Sequence, residues 1–119
     1  MADANTTLGE LRELVRAFVD ARDWRQFHSP KNLSMALAIE AAELMEHFQW
    51  ITTEASRGLA GDRDKLPAVC DELADVLCYT MALANELDVD LSQSLRQKML
   101  KNEAKYPAHE YRGRYGPED

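Results

Sequence analysis

The stretch "AIEAAELMEHFQW", Ala38–Trp50, decides the fold, because its apolar residues recur as they do in a buried helix. The same stretch carries Glu40, Glu43 and Glu46, each about one turn after the last. An ionised carboxylate is costly to bury unless a cation, a proton or water lies beside it. A row of acids on a core helix therefore predicts a functional site.

Helical periodicity accounts for the whole apolar pattern, and no segment alternates as a β-strand does. We expect an all-α fold, a bundle of four helices over residues 8–22, 30–50, 66–87 and 91–105. Capping patterns mark three of the starts: Thr7 with Glu10, Ser29 with Pro30, and Asp90 with Gln93. The segment "TTEASRGLAGDRDK", 52–65, has two glycines and mixed charges, and is interpreted as a loop.

The chain of 119 residues is predicted to form a single domain over 1–119, with a helical core of about 7–107 and a mobile tail at 108–119. The first helix has a wide apolar face and the second is apolar on most sides. This is more apolar surface than four short helices can cover. The sequence therefore predicts that the bundle is completed by homo-oligomerisation, as a homodimer or a homotetramer.

Charge and hydropathy restrict the partners and the location. The formal net charge of −7, from 21 acids and 14 bases, argues against nucleic-acid binding, which needs a basic patch. No apolar run approaches the roughly 20 residues that span a bilayer, and the polar N-terminus does not resemble a secretory signal, so no membrane association is expected. Cys70 and Cys78 are about 12 Å apart if they share a helix, too far for a disulfide. Two free thiols fit a reducing cytoplasm.

A second pair of acids lies on the third helix, where "AVCDELADVLCYTMAL" contains Glu72-x-x-Asp75. Residues three apart project from the same side of a helix, so each pair offers two carboxylates from one face. Both pairs interrupt apolar stripes. If the second and third helices are antiparallel neighbours, four carboxylates converge, and a divalent cation is needed to offset their repulsion. Oxygen ligands predict Mg²⁺, with Mn²⁺ as the alternative.

Two other classes of protein are alternatives to a metal-dependent enzyme. The acids can instead form the solvated face of a helical protein–protein interaction module that binds a basic partner. A carboxylate-bridged redox metal bundle is a further alternative, but it wants Glu-x-x-His on two helices. Here Glu46 follows Glu43 by three residues and the third helix has no histidine, which disfavours that alternative. Glu46 and Glu86 fit the carboxylate set less well than the two pairs.

Four segments carry a resemblance to a known family: "RDWRQFHSPKNL", "EAAELMEHFQW", "DELADVLCY" and "KMLKNEAKYP". With these segments the chain resembles the all-α nucleoside triphosphate pyrophosphohydrolases of the MazG-like superfamily, most of all the dCTP pyrophosphatase branch. The resemblance implies hydrolysis of a nucleoside triphosphate, dCTP or a modified dCTP, between the α and β phosphates. The products are the monophosphate and pyrophosphate.

The same resemblance implies roles for individual residues. Glu40, Glu43, Glu72 and Asp75 would be the catalytic acids and the ligands of Mg²⁺. The implied substrate-binding residues are Trp24, Arg25, Gln26, Phe27, His28, Trp50, Tyr79, Lys98 and Asn102. Aromatic faces that stack on a base and a polar edge that reads it suit such a substrate. For Phe27 and Trp50 the alternative is plain core packing.

Overall fold

The computed structural model describes residues 1–115. Within this range the α-helices are α1 (Leu8–Ala21), α2 (Pro30–Glu46), α3 (Thr53–Arg57), α4 (Leu66–Leu87), α5 (Leu91–Lys105) and α6 (Ala108–Tyr111). Short 3₁₀ turns occupy Asp3–Asn5, Trp24–Phe27 and Gly58–Gly61. Residues 1–115 contain no β-strand, so the predicted all-α class is confirmed. None of the helices in this part of the chain has the length and apolar character needed to cross a membrane.

The chain divides into two compact units. The first is Met1–Asp88 and contains α1 to α4. The second begins at Val89 and contains α5 and α6. The organisation as a single domain stays a prediction.

The first unit is built around α4, which packs against α2 along much of its length and also contacts α1. Leu33 on α2 and Met81 on α4 are each only 1% exposed and anchor this core. Burying side chains of this size stabilises a fold by about 1.5–3 kcal/mol each. Val19 on α1 and Val69 on α4 are also buried. The predicted third helix is thus the central element of the unit.

The predicted caps are present at the starts of the long helices. The Thr7 hydroxyl accepts a hydrogen bond from the Glu10 N–H at 3.1 Å, and the Thr7 N–H donates to Glu10 Oε2 at 2.7 Å. Ser29 caps α2, and Asp90 Oδ1 accepts from the Gln93 N–H at 2.8 Å. These bonds satisfy N–H groups that have no partner inside the helix, which is why the sequence marked the starts correctly.

The predicted end of α2 is wrong by four residues. The helix ends at Glu46 rather than at Trp50. The N–H groups of Phe48 and Gln49 both donate to the Met45 carbonyl, at 2.9 and 3.0 Å, so the chain winds into tight turns there. Trp50 consequently lies outside the helix and is 87% exposed.

The segment interpreted as a loop is partly helical. α3 begins after Thr52, whose hydroxyl accepts from the Ala55 N–H at 3.0 Å, and Glu54 lies in the first turn. A cap and an acid at the positive end of the helix dipole offset the poor propensity of this segment. Leu59 in the following turn is buried and attaches the segment to the core. The loop prediction is therefore wrong for Thr53–Gly61.

The second unit continues past α5 into the one-turn helix α6, where the sequence predicted no regular structure. Tyr106 and Tyr111 meet edge to face with ring centroids 5.2 Å apart, which supports this turn. The predicted mobile tail at 108–119 extends to residues 116–119, which lie outside the described residues. Its mobility stays a prediction.

Both cysteines lie on α4 and both are free thiols. Cys70 is exposed, whereas Cys78 is partly buried. Burial, followed by the charge of Asp75, raises the pKa of the Cys78 thiol, so this group is not an activated nucleophile.

Candidate active site

Three glutamates meet where α2 packs against α4. Glu40 and Glu43 come from α2 and Glu72 from α4, and all three are half-buried. One carboxylate oxygen of each lies within 4.8 Å of the others. Their spacing along each helix places them on facing stripes, so the helix packing alone brings them together.

Asp75 lies beside this trio rather than within it. It is exposed on α4, three residues after Glu72. Its charge nevertheless contributes to raising the pKa of both Glu40 and Glu72. The structure therefore collects three of the four predicted acids closely and places the fourth at the edge of the same cluster.

The electrostatics of the cluster are those of crowded like charges. Partial burial, and then the neighbouring Glu43 and Glu72 carboxylates, raise the pKa of Glu40 to about 7. Burial also raises the pKa of Glu72, and the charges of Glu43 and Asp75 add to it, partly offset by Glu40. Without a cation, the cluster is expected to keep a proton on Glu40 at neutral pH.

Two atoms of the cluster test whether it suits a metal ion. Glu40 Oε2 and Glu72 Oε2 are buried side-chain oxygens without a hydrogen-bond partner. Most buried polar atoms in proteins have a hydrogen-bond partner, so two such oxygens without one call for an explanation. A cation between the two helices would satisfy both oxygens. The all-oxygen donor set fits a hard divalent ion such as Mg²⁺ or Mn²⁺.

Tyr79 lies one turn beyond Asp75 on α4 and is half-buried. Burial, and then the charge of Glu40, raise the pKa of its phenol, with Asp75 and Glu43 adding to the effect. The hydroxyl is therefore a neutral hydrogen-bond donor, and the charges of the carboxylate cluster help to keep it protonated.

The turn Trp24–Phe27 carries four of the nine predicted substrate residues. It follows Asp23, which adopts a left-handed backbone with φ of 52°. The Gln26 side-chain amide donates back to the Asp23 carbonyl at 2.9 Å. Trp24 meets Phe18 of α1 edge to face, with ring centroids 5.6 Å apart. The turn is thus fixed to α1 by its own polar and aromatic contacts.

Phe27 and Trp50 are not core residues of the chain. Phe27 is 60% exposed and Trp50 is 87% exposed. This exposure argues against plain core packing and leaves both rings open to a ligand. Their role in substrate binding stays a prediction.

Arg25 and His28 border a small pocket of about 60 Å³ in the first unit. Val15 of α1 and Ala82 of α4 line its apolar part. Arg25 Nε donates to Glu86 Oε1 of α4 at 3.2 Å across the pocket. The sequence analysis named Glu86 only as an acid that fits the carboxylate set less well, and it did not predict the pair with Arg25. The position of Glu86, 14 residues after Glu72, places both on one face of α4.

Asn85 is a second residue that the sequence did not single out. Its Oδ1 accepts from Arg12 Nε at 3.0 Å and from Arg16 Nη2 at 3.2 Å. Its Nδ2 donates to the Arg12 carbonyl at 3.2 Å. A single amide side chain therefore joins the end of α4 to α1, which forms one wall of the pocket.

Lys98 and Asn102 belong to α5 in the second unit. Lys98 is exposed, and Asn102 is half-buried and donates to Met99 Sδ at 3.8 Å. Their predicted contact with phosphates stays a prediction.

Residues 35–115 match the model of the MazG-like family. The match covers α2 from residue 35 onward and all of α4, with the carboxylates of both helices. The chain therefore belongs to the MazG-like family.

Among solved structures, the chain is similar to the crystal structure of a pyrophosphatase from Archaeoglobus fulgidus, with a TM-score of 0.78 and 35% identity. The match covers 90% of this chain and 98% of the other. Among curated proteins, the chain is 43% identical over 107 residues to dCTP pyrophosphatase 1 of Bos taurus, and 43% identical over 103 residues to that of Homo sapiens. It spans only 63% and 61% of the length of these relatives.

Proposed function

We propose that the chain is a metal-dependent nucleoside triphosphate pyrophosphohydrolase that acts on dCTP or a modified dCTP. The observation that carries the proposal is the trio of half-buried glutamates with two buried oxygens that lack a partner. The similarity to dCTP pyrophosphatase 1 supports the substrate class. An interaction module with an acidic face does not explain why unsatisfied carboxylates point into a helix contact.

Glu40, Glu43, Glu72 and Asp75 would hold Mg²⁺, with Mn²⁺ as the alternative. A divalent ion held by these residues would offset the charge of the triphosphate and lower the pKa of a water molecule. The oxygen of water would bond to one of the two phosphorus atoms beside the α–β bridging oxygen. The bond from that phosphorus to the bridging oxygen would break, and monophosphate and pyrophosphate would leave. A carboxylate of the cluster that is not fully committed to metal accepts the proton of the water.

The rest of the site would bind the nucleoside and the phosphates. The residues with this proposed role are Trp24, Gln26, Phe27, His28, Trp50, Tyr79, Lys98 and Asn102. Arg25, which was predicted with them, would act through the turn that carries it, because it pairs with Glu86. The exposed rings of Phe27 and Trp50 offer faces on which a base can stack. The neutral phenol of Tyr79 offers a donor next to the acids. We further propose that the protein acts in the cytoplasm and binds neither nucleic acid nor membrane.

A product assay tests the activity. Purified protein is incubated with each of the common nucleoside triphosphates and with 5-methyl-dCTP, in Mg²⁺, in Mn²⁺ or in chelator, and the products are separated by ion exchange. We expect monophosphate and pyrophosphate in equal amounts, only with metal, and fastest from deoxycytidine substrates. Release of orthophosphate, or turnover in chelator, would contradict the proposal.

A matched pair of variants tests the site. Glu43→Gln removes one charge from the trio and should lower kcat at least about 100-fold, since even outer partners of a metal are worth 10–100-fold. Glu46→Gln makes the same change on an exposed residue of the same helix and should leave kcat within about twofold. Equal losses in the two variants would argue against the assignment.

We also propose that the chain forms a homo-oligomer through the face of α1 and α4. An apolar groove of about 490 Å³ lies between these helices, lined by residues such as Leu14, Phe18 and Leu77. These three side chains are 46–58% exposed. Since the lining contains no charged residue, a second copy of the same face is a complementary occupant.

A further inference from the structure

Helix α4 aligns three polar residues along one face. Glu72, Tyr79 and Glu86 recur every seven residues, which is close to two helical turns, and each step covers about 10 Å. The carboxylate cluster lies at the Glu72 end, and the small pocket with Arg25 and His28 lies at the Glu86 end. The two sites are therefore held at a fixed separation by one rigid helix.

Glu86 occupies an unfavourable place for an acid. It lies in the last turn of α4, where the helix dipole is negative. A second acid, Asp88, is the C-cap residue of the same helix. The side chain is only 22% exposed, so water does not fully compensate for its charge. An acid at this position does not stabilise the helix. Its ion pair with Arg25 explains why an acid is favourable here.

Arg25 belongs to the Trp24–Phe27 turn, which also contacts α1 and α2. Trp24 contacts Phe18 of α1, and the Asn32 side chain of α2 donates to the Phe27 carbonyl at 3.1 Å. The ion pair with Glu86 adds an attachment to α4, the helix that carries Glu72 and Asp75. It therefore ties the position of the turn to that of the carboxylates.

We propose that Arg25 and Glu86 form a positioning pair, which holds the Trp24–Phe27 turn at a set distance from the carboxylate cluster and thereby tunes the affinity for the nucleoside part of the substrate. This inference rests on the proposed function. It changes the role of Arg25, which acts through Glu86 rather than by touching the nucleotide. Both residues are positioning residues, and neither takes part in the chemistry.

Charge exchange tests the pair. The variants Glu86→Arg and Arg25→Glu each place like charges together, and the double variant R25E/E86R restores an ion pair with the opposite polarity. We expect each single variant to raise KM for dCTP about fivefold, since an ion pair with one exposed partner, here Arg25, is worth up to about 1 kcal/mol. The value of kcat and the Mg²⁺ concentration for half-maximal activity should stay within about twofold. The double variant should return KM to within about twofold of the original protein.

Hydrogen exchange provides a readout that needs no activity. Amides of residues 23–29 should exchange about fivefold faster in Glu86→Arg than in the original protein, and the double variant should restore their protection. Glu54→Arg makes the same charge change on an exposed residue of α3 and should alter neither the exchange of residues 23–29 nor KM. If a charge reversal prevents folding, Glu86→Gln gives a milder loss of the pair and should raise KM about twofold.

The outcomes separate this inference from the proposed function. If the original protein turns over no nucleotide, the proposed function fails and the inference fails with it. If the original protein is active but the single variants keep its KM and its exchange rates, only the positioning pair is refuted. A double variant that is as impaired as the singles also refutes it, because the two residues would then act independently.

Discussion

The carboxyl group of Glu40 needs either a proton or a cation, because one of its oxygens is buried without a partner and two other acids lie next to it. In the metal-free protein the raised pKa of about 7 is the response to this environment. A cation and a proton therefore compete for the same carboxylate. Metal binding should release a proton near neutral pH, and affinity for the metal should rise with pH.

At the scale of this residue, the stability of the metal-free protein is expected to fall as pH rises. A carboxyl whose pKa is higher in the folded state than in the unfolded chain stabilises the fold fully below about 4.3, its unfolded pKa. That stabilisation is lost as pH rises to about 7, the folded value for Glu40. Urea unfolding in chelator at a series of pH values measures the trend.

Glu40→Gln provides the control for that pH series, because the amide does not titrate. The variant should be equally or more stable than the original protein at pH 8, and its stability should vary less between pH 5 and 8. If the two proteins share the same pH dependence, Glu40 does not titrate as described and other groups cause the trend.

Added Mg²⁺ is expected to stabilise the folded protein at pH 8. A ligand at 100 times its Kd adds about 2.7 kcal/mol to the free energy of unfolding. The shift in Tm with Mg²⁺ should disappear in Glu72→Gln, which lowers the charge of the trio, and should persist in Glu46→Gln. Thermal melts of the original protein and of the two variants at increasing Mg²⁺ concentration measure these shifts. An unchanged Tm in the original protein would contradict metal binding at this cluster.

At the scale of the elements, the Asn85 side chain joins α1 to α4 by hydrogen bonds. Its side chain makes three hydrogen bonds to Arg12 and Arg16, so Asn85→Ala leaves several groups without this partner. We expect a loss of about 1–3 kcal/mol in the free energy of unfolding by urea. Ser34→Ala removes an exposed bond within α2 and should cost less than about 0.5 kcal/mol. If the two variants lose the same free energy of unfolding, the hydrogen bonds of Asn85 do not stabilise the contact between α1 and α4.

The sequence predicted elements whose causes are local. The starts at Leu8, Pro30 and Leu91 follow from caps within three residues, and the two acid pairs follow from helical spacing. The short helix α3 was missed because its local signals, the Thr52 cap and Glu54 in the first turn, stand beside two glycines and mixed charges that are typical of a loop. The partners of Glu86 and Asn85 are 61 and up to 73 residues away, and no local pattern encodes such contacts.

At the scale of the whole molecule, the exposed apolar face predicts association. Leu77→Glu places a charge in the groove between α1 and α4 and should shift the protein to a smaller species in light scattering after size exclusion. Leu100→Glu makes the same change on α5, which does not line this groove. If the original protein is a monomer, or if only Leu100→Glu changes its size, the proposed interface is wrong.

The bond between Arg12 and Asn85 also has a kinetic consequence. It closes a loop of 73 residues, whereas the approach of Glu40 to Glu72 between α2 and α4 closes a loop of 32 residues. Long loops are slower to close, so α1 is expected to dock after the carboxylate helices have already paired. A protein interrupted at this stage of folding would already bring Glu40 and Glu72 together while its pocket wall was still missing.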